Sequence, residues 1–407
     1  MENRKIGFYF LFVILYLQIQ ISVCQENMLP IIEKVSFTTT DSIILNGTLY
    51  LPNGKIEKII IMLTDVTFEV RNPDFLLAAD SVLFISNFIK RSNKENVGVF
   101  MIGRRTTFED ESSKILTTQT NETLADDAEN ALNYIKSRDD LKSKIIGIFG
   151  SSETACSAAK LAARNKDISF LLLNSIPNID GIKYYDFIFT PKNKGLNFQK
   201  FIEVLKILDQ IVPKSFIYKG VKYDKDISAN NLTKCFVDNL STINQNIIKH
   251  HNNYDTIRHY ATKLFHNEWE GTNFVASKKM VHGEEWSASQ CINFLFKIWY
   301  SDRDIEFIKW DPAHYLTKIT CQVLFLFGGK DLNIPVEESI YETHKIITQF
   351  GKTNFTLKVY PDLDHFFHKS GMDVTIVEND GKKHKINIVP NEVYDDIINW
   401  IKGFSEY

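Results

Sequence analysis

The chain has 407 residues, of which 50 are acidic and 47 basic, so its formal net charge is −3. A net charge this close to zero gives no indication of the strongly basic surface that DNA- and RNA-binding proteins need. We therefore expect no nucleic-acid partner. Hydrophobic residues make up 44% and charged residues 24% of the chain, which excludes a disordered, collagenous or coiled-coil protein and is typical of a globular one.

Residues 1–24 are predicted to be a signal peptide. Arg4 and Lys5 precede an apolar run over 8–17, which has the length of a secretory core segment and is shorter than the roughly 20 residues of a membrane span. With cleavage after Cys24, the mature chain is expected to be secreted or periplasmic, with no stable membrane span. A lipid anchor on Cys24 is the less favoured alternative.

The four cysteines beyond this segment are too few for a disulfide scaffold in a chain of this length. Cys156 and Cys321 fall in apolar segments, where buried free thiols are common. Cys235 with Cys291 is the one pair that merits a test as a disulfide.

From residue 35 onwards, strand-like and helix-like segments alternate. A hairpin is predicted over 35–51. The strands predicted next are 59–63, 97–102, 144–149 and 169–173, and the helices between them are 75–90, 123–137 and 153–163. This alternation predicts an α/β fold with a mostly parallel central sheet covered by helices.

The alternation stops near residue 176 and resumes near residue 311. The segment between them, 176–310, is predicted to be a mostly helical cap, rich in Asn, Lys and aromatic residues. After it come strands over 321–327 and 353–360, a helix over 336–350, a hairpin over 374–389 and a last helix over 391–404. The expected organisation is therefore a core in two parts, 25–175 and 311–407, with the cap inserted before the last two strands of the sheet.

Ser152 lies between a predicted strand and a predicted helix. A serine on such a sharp turn is typical of a nucleophile elbow, because the turn lifts the hydroxyl clear of the sheet and the helix N-terminus favours developing negative charge. Gly150 provides one small flanking residue, but Thr154 stands at the other position, so the GxSxG motif is incomplete. A serine-rich helix N-cap is the alternative interpretation.

Two further candidates follow later strands. Asp331 comes after the strand at 321–327, and His365 after the strand at 353–360. The order Ser152, Asp331, His365 is that of α/β-type serine hydrolases, in which the histidine takes the serine proton and the carboxylate orients the ring. His368 is the alternative to His365 as the base, and Asp362 and Asp364 are the alternatives to Asp331 as the acid. HExxH, GxxxxGK[ST] and GxGxxG motifs do not occur, so neither a metal nor an organic cofactor is expected.

With these motifs the chain resembles the secreted α/β-hydrolases related to serine aminopeptidases, cinnamoyl-type esterases and other acyl esterases. Residues 47–52 are similar to the family's opening GTL.lP hairpin, and residues 146–153 to its IGlIGHSEGG strand and turn. Further similar segments are 125–136, 311–316, 324–331 and 398–401. The resemblance implies an α/β-hydrolase fold and hydrolysis of a carboxylic ester or related acyl bond through an acyl-enzyme. It implies a triad of Ser152, Asp331 and His365 that acts on a small acyl ester or short peptide.

The same resemblance assigns the oxyanion donors to two backbone N–H groups. The family's His-Gly-Ser-Gly loop corresponds here to residues 64–67, so Val66 and Glu153 would be the donors. The glycines of that loop are missing, and Asp65 adds a carboxylate. These departures favour an alternative function, that of a degenerate, weakly active or non-catalytic binding protein with the same fold. A serine peptidase or amidase that uses the same site is a further alternative.

Overall fold

A computed structural model describes residues 30–63, 76–105, 119–142, 144–188, 306–377 and 383–404, together with four short strands within 215–285. The strands are β1 (Ile31–Thr38), β2 (Ile44–Leu51), β3 (Lys58–Leu63), β4 (Val97–Ile102), β5 (Ile145–Ser151), β6 (Phe170–Asn174), β7 (Ser215–Tyr218), β8 (Val221–Asp224), β9 (Lys279–Met280), β10 (Glu284–Glu285), β11 (Gln322–Gly328), β12 (Phe355–Tyr360), β13 (Asp373–Val377) and β14 (Lys383–Asn387). The helices are α1 (Leu76–Lys94), α2 (Asn121–Ser137), α3 (Glu153–Arg164), α4 (Gly181–Ile188), α5 (Pro312–Leu316), α6 (Val336–Gln349) and α7 (Asn391–Lys402).

Eight of these strands form one sheet in the order β1-β2-β4-β3-β5-β6-β11-β12. β1 pairs antiparallel with β2 and β2 antiparallel with β4, whereas all the remaining pairs are parallel. The carboxyl ends of β3, β5, β6, β11 and β12 therefore meet at one edge of the sheet. Ligands of open α/β sheets bind outside this edge.

The sheet is covered by helices on both faces, because its parallel strands are apolar on both sides. All six residues of β3 are buried, as expected for a central parallel strand. One core contains apolar side chains of α2, α3 and α6, and a second core on the other face contains those of α1 and α7. The predicted α/β class and the mostly parallel, helix-covered sheet are thereby confirmed.

The chain leaves the sheet after β6 and returns to it at β11, the strand that pairs directly with β6. The predicted position of the insertion, before the last two strands of the sheet, agrees with this topology. Its described parts are α4, the strand pair β7–β8 and the strand pair β9–β10, and neither strand pair was predicted. The helices predicted for the rest of the insertion lie outside the described residues, as do the signal peptide and the pair Cys235 and Cys291.

An ion-pair cluster lies just after β4, around Arg105. The Arg105 guanidinium donates to both carboxylate oxygens of Asp127, at 3.0 and 2.9 Å for Nε, and to Asp41. The Asp127 side chain is fully buried, and its hydrogen bond raises the pKa of Arg105. Arg105 thus links α2, which carries Asp127, to Asp41 between β1 and β2.

Candidate active site

Ser152 forms a strained turn between β5 and α3. Its backbone has φ 54° and ψ −124°, a left-handed conformation that costs a residue other than glycine about 1–3 kcal/mol. The turn is tight at Gly150, where an added Cβ would lie 2.6 Å from the Ala155 Cα. The Ser152 side chain is half-buried, and its backbone N–H donates to the carbonyl of Asn174 at 2.8 Å. This backbone differs from that of an ordinary N-cap, which takes extended angles, and the side chain forms no cap hydrogen bond.

Replacing Ser152 with glycine is expected to raise the free energy of unfolding by about 1 kcal/mol. Relief of the strain at positive φ exceeds the added entropy of glycine in the unfolded chain, which is about 0.5–1 kcal/mol. Urea unfolding of the two variants Ser152→Gly and Ser152→Ala measures the difference. Alanine keeps the strain and serves as the control, so a glycine variant less stable than the alanine variant would contradict a strained turn.

Asp331 follows β11 and lies wholly inside the protein, with a side chain that has no exposed surface. Its Oδ1 accepts backbone N–H groups from Asn333 at 2.7 Å and from Ile334 at 3.2 Å. Its Oδ2 lies 2.7 Å from Nδ1 of His365. Because an ionised carboxylate only accepts, Nδ1 carries the proton of this hydrogen bond, and Nε2 is the nitrogen that can act as a base.

His365 belongs to a short loop after β12 that is closed by its own hydrogen bonds. Asp364 Oδ1 accepts the N–H groups of Phe366 and His368, at 2.9 and 2.8 Å. On the neighbouring loop, Lys330 donates its N–H to the carbonyl of Leu363 at 2.8 Å. These contacts fix the loop against the segment that carries Asp331.

The alternative acids and the alternative base pair differently. Asp362 forms an exposed ion pair with Lys330, which lowers the pKa of Asp362. His368 Nδ1 lies 3.5 Å from Asp364 Oδ2. Burial tends to raise the pKa of Asp364, but the hydrogen bonds from His368 and from the backbone of Phe366 lower it overall. The structure therefore brings His365 together with Asp331 and His368 together with Asp364.

The end of β6 connects the serine turn to the histidine loop. Asn174 accepts the N–H of Ser152, and its Nδ2 donates to Ser151 Oγ at 3.0 Å. The next residue, Ser175, is fully buried and donates its hydroxyl to the carbonyl of His365 at 3.1 Å. Since the histidine loop follows β12, two strands away from β6 in the sheet, this dipeptide links the turn after β5 to a loop beyond the adjacent strand β11.

Backbone strain is concentrated at this edge. Ser152, Ser175 and Phe367 have positive φ values of 54°, 46° and 61°, and they lie respectively after β5, after β6 and in the histidine loop. Such conformations persist only where the surrounding contacts enforce them, and they cluster at functional sites. The strain thus marks the same edge that the polar side chains mark.

The predicted oxyanion donors are described in part. Glu153 is the first residue of α3, where the helix dipole places positive potential. Val66 and Asp65 lie outside the described residues. Among the side chains that the structure does describe, no three of His, Cys, Asp and Glu converge as metal ligands, and no described helix is long and apolar enough to cross a membrane.

Neither Asn174 nor Ser175 was predicted to belong to the site. The hydrogen bonds of the Thr154 hydroxyl were not predicted either. A signal for the first two residues exists in the sequence, where two polar residues follow four buried apolar ones at the end of β6. Thr154 was noted only as a departure from GxSxG. Its hydroxyl accepts the N–H of Ser151 at 2.8 Å.

The sequence matches no protein-family model and no curated protein. Solved structures of similar overall fold include an esterase from Pyrococcus furiosus, with 14% identity, a TM-score of 0.44, and coverage of 93% of this chain and 94% of that one. A dienelactone hydrolase from Anabaena variabilis shares 11% identity at a TM-score of 0.45, over 93% of this chain and 99% of that one. An acylaminoacyl peptidase from Pyrococcus horikoshii shares 10% identity at a TM-score of 0.45, over 84% of this chain and 39% of that one.

These identities are too low to transfer an activity to this chain. The strand order, the turn at Ser152 and the loops that carry Asp331 and His365 define the α/β-hydrolase fold from the chain's own structure. The predicted fold is thus present.

Proposed function

We propose that this protein is an exported serine hydrolase that cleaves a carboxylic ester or a related acyl bond. The observation that carries the proposal is the hydrogen bond of 2.7 Å between the buried Asp331 carboxylate and His365 Nδ1, on loops that follow adjacent strands at the same edge as the strained Ser152 turn. A histidine that is oriented by a carboxylate and reaches a serine on a sharp turn is the arrangement that activates a hydroxyl nucleophile.

The reaction begins at Ser152. Its hydroxyl attacks the acyl carbonyl while His365 Nε2 takes the hydroxyl proton, and Asp331 holds the ring and stabilises the imidazolium that forms. The negative charge on the carbonyl oxygen is bound by backbone N–H groups, assigned to Val66 and Glu153. The leaving group departs with the proton from His365. Water, activated by the same histidine, then releases the acid and restores Ser152.

Steady-state hydrolysis of p-nitrophenyl esters from acetate to laurate, beside aminoacyl p-nitroanilides, tests this function. We expect the esters to be hydrolysed, at rates that differ with the length of the acyl chain. The reason is that the insertion over 176–310 is the segment expected to cover the site. Turnover of the anilides in preference to the esters would assign the peptidase alternative. A folded, monodisperse protein that turns over neither class would support the non-catalytic alternative, which the missing glycines of residues 64–67 favour.

Export is the second part of the proposal, and it rests on the charged and apolar pattern of residues 1–24. Expression of the full chain in a host with a secretory pathway, followed by N-terminal sequencing of the extracytoplasmic fraction, tests it. A mature protein that begins at Gln25 is expected. A full-length protein retained in the cytoplasm would contradict export and leave the proposed chemistry unaffected.

A further inference from the structure

Thr154 is the second residue of α3 and stands where the resembled family has the last glycine of its elbow motif. Its side chain is buried, with 1% of the residue exposed. A glycine at this position normally permits close approach of the helix to the strand. Here that approach is made at Gly150, where an added Cβ would lie 2.6 Å from both the Ala155 Cα and the Thr154 carbonyl oxygen. The side chain of Thr154 is therefore not excluded by the turn.

The Thr154 hydroxyl forms hydrogen bonds with the turn that carries the nucleophile. Oγ1 accepts the backbone N–H of Ser151 at 2.8 Å and lies 2.9 Å from the carbonyl oxygen of the same residue. A third neighbour, the carbonyl oxygen of Leu63, lies 3.4 Å away. The hydroxyl has one proton to donate, so it serves one carbonyl at a time and favours the nearer one.

These contacts lie where β3 and β5 separate. The paired residues of the two strands end with Met62 opposite Phe149. Beyond that pair, the Thr154 hydroxyl stands between Ser151 of β5 and Leu63, the last residue of β3. It bonds the strand that carries the nucleophile and lies 3.4 Å from the last carbonyl of the neighbouring strand.

We propose that Thr154 is a positioning residue for Ser152, an inference that rests on the proposed hydrolase function. The hydroxyl fixes the backbone of Ser151, and through it the direction in which the strained Ser152 presents its own hydroxyl. Here a side-chain hydrogen bond holds the backbone of the turn, which a glycine motif holds by close packing of the helix against the strand. Misplacement of a reacting group by about 1 Å costs on the order of 10²-fold in rate, so the loss of this contact lowers turnover measurably.

Thr154→Val, which keeps the shape of the side chain and removes the hydroxyl, tests this role. On p-nitrophenyl butyrate we expect kcat to fall by about 10- to 100-fold with KM changed by less than about 2-fold, since the residue does not touch the substrate. The rate of fluorophosphonate labelling at Ser152 is expected to fall in parallel. Thr154→Ser restores the hydroxyl and is expected to recover most of kcat.

Thr343→Val is the matched control. Thr343 is a buried threonine on α6 whose hydroxyl accepts from Asn178 at 2.7 Å and donates to the carbonyl of Ser339 at 2.7 Å. This variant also removes two hydrogen bonds from the interior, so its melting temperature is expected to fall while kcat stays at the wild-type value. If Thr154→Val does not fold, Thr154→Ala compared with Thr154→Ser makes the same test.

The outcomes separate this inference from the function on which it rests. An active wild-type protein with wild-type kcat in Thr154→Val overturns the positioning role alone. An equal loss of kcat in the serine variant also overturns it, because the hydroxyl would then not be the determinant. A wild-type protein that neither hydrolyses the ester nor reacts with the fluorophosphonate overturns the proposed function, and the positioning role falls with it.

Discussion

Ser152→Ala is expected to lower kcat/KM for an activated ester by about 10⁴-fold or more. Loss of the nucleophile in a serine triad leaves only the rate acceleration that substrate binding and oxyanion stabilisation provide. The variant keeps a Cβ at the strained backbone position, so its fold and its unfolding free energy are expected to stay near those of the wild-type protein. Initial rates with p-nitrophenyl butyrate, at equal concentrations of folded protein, measure the effect.

Ser151→Ala is the control for this variant, because Ser151 is the adjacent hydroxyl. Its Oγ accepts a hydrogen bond from Asn174 within the protein. We expect the variant to lose less than about 10-fold in kcat/KM, through a small change in the turn rather than loss of a nucleophile. A larger loss in Ser151→Ala than in Ser152→Ala would move the nucleophile to the other serine and contradict the assigned site.

Asp331→Asn is expected to lower kcat by about 10⁴-fold while leaving KM nearly unchanged. The backbone N–H groups of Asn333 and Ile334 hold one side-chain oxygen at this position. In the variant they retain the amide oxygen there, so the amide nitrogen faces His365 Nδ1 and donates to it. The ring proton then moves to Nε2, and the nitrogen that should take the Ser152 proton is already protonated.

Asp362→Asn is the matched control for the acid. Asp362 lies on the same loop as His365, but its carboxylate is exposed and pairs with Lys330 at 2.9 Å. Its loss is expected to leave both kcat and stability close to wild type, because exposed ion pairs contribute about 0–1 kcal/mol. Steady-state measurement of kcat for both variants shows which of the two carboxylates the reaction requires. Equal losses in the two would contradict the pairing of Asp331 with His365.

The sheet could be predicted from the sequence because parallel strands buried on both faces appear as uninterrupted apolar runs. Residues 59–63 and 97–102 were assigned as strands on this pattern, and the structure has β3 and β4 there. The pair β7–β8 was missed, although Lys219-Gly220 between two segments rich in β-branched and aromatic residues is typical of a hairpin turn. The insertion was predicted to be mostly helical, and this local signal was not used.

The sequence predicted His365 with Asp331 at one edge of the sheet, but left His368, Asp362 and Asp364 open as alternatives. Ser152, Asp331 and His365 were found because each follows a strand whose carboxyl end meets the same edge of the sheet. His365 and His368 lie only three residues apart in one loop, so spacing alone could not choose between them. The choice depends on how Asp364 closes that loop onto His368 and leaves His365 facing Asp331.

The supporting contacts were beyond the sequence for a related reason. Ser175 was not predicted to contact His365, because the two residues are 190 positions apart and meet only through the order of the strands. Thr154 was interpreted as a missing glycine, because its hydroxyl contacts become visible only once the turn is built. Motifs thus indicated the candidate residues, while the contacts that orient these residues depend on the assembled sheet.

The central claim is that Ser152 is an activated nucleophile, and mapping a fluorophosphonate adduct on the folded mature protein tests it most directly. The proposal requires one adduct per chain, located by mass spectrometry on Ser152, formed by the wild-type protein and by Ser151→Ala and absent from Ser152→Ala. An adduct that persists in Ser152→Ala, or a folded wild-type protein that acquires none, would contradict it.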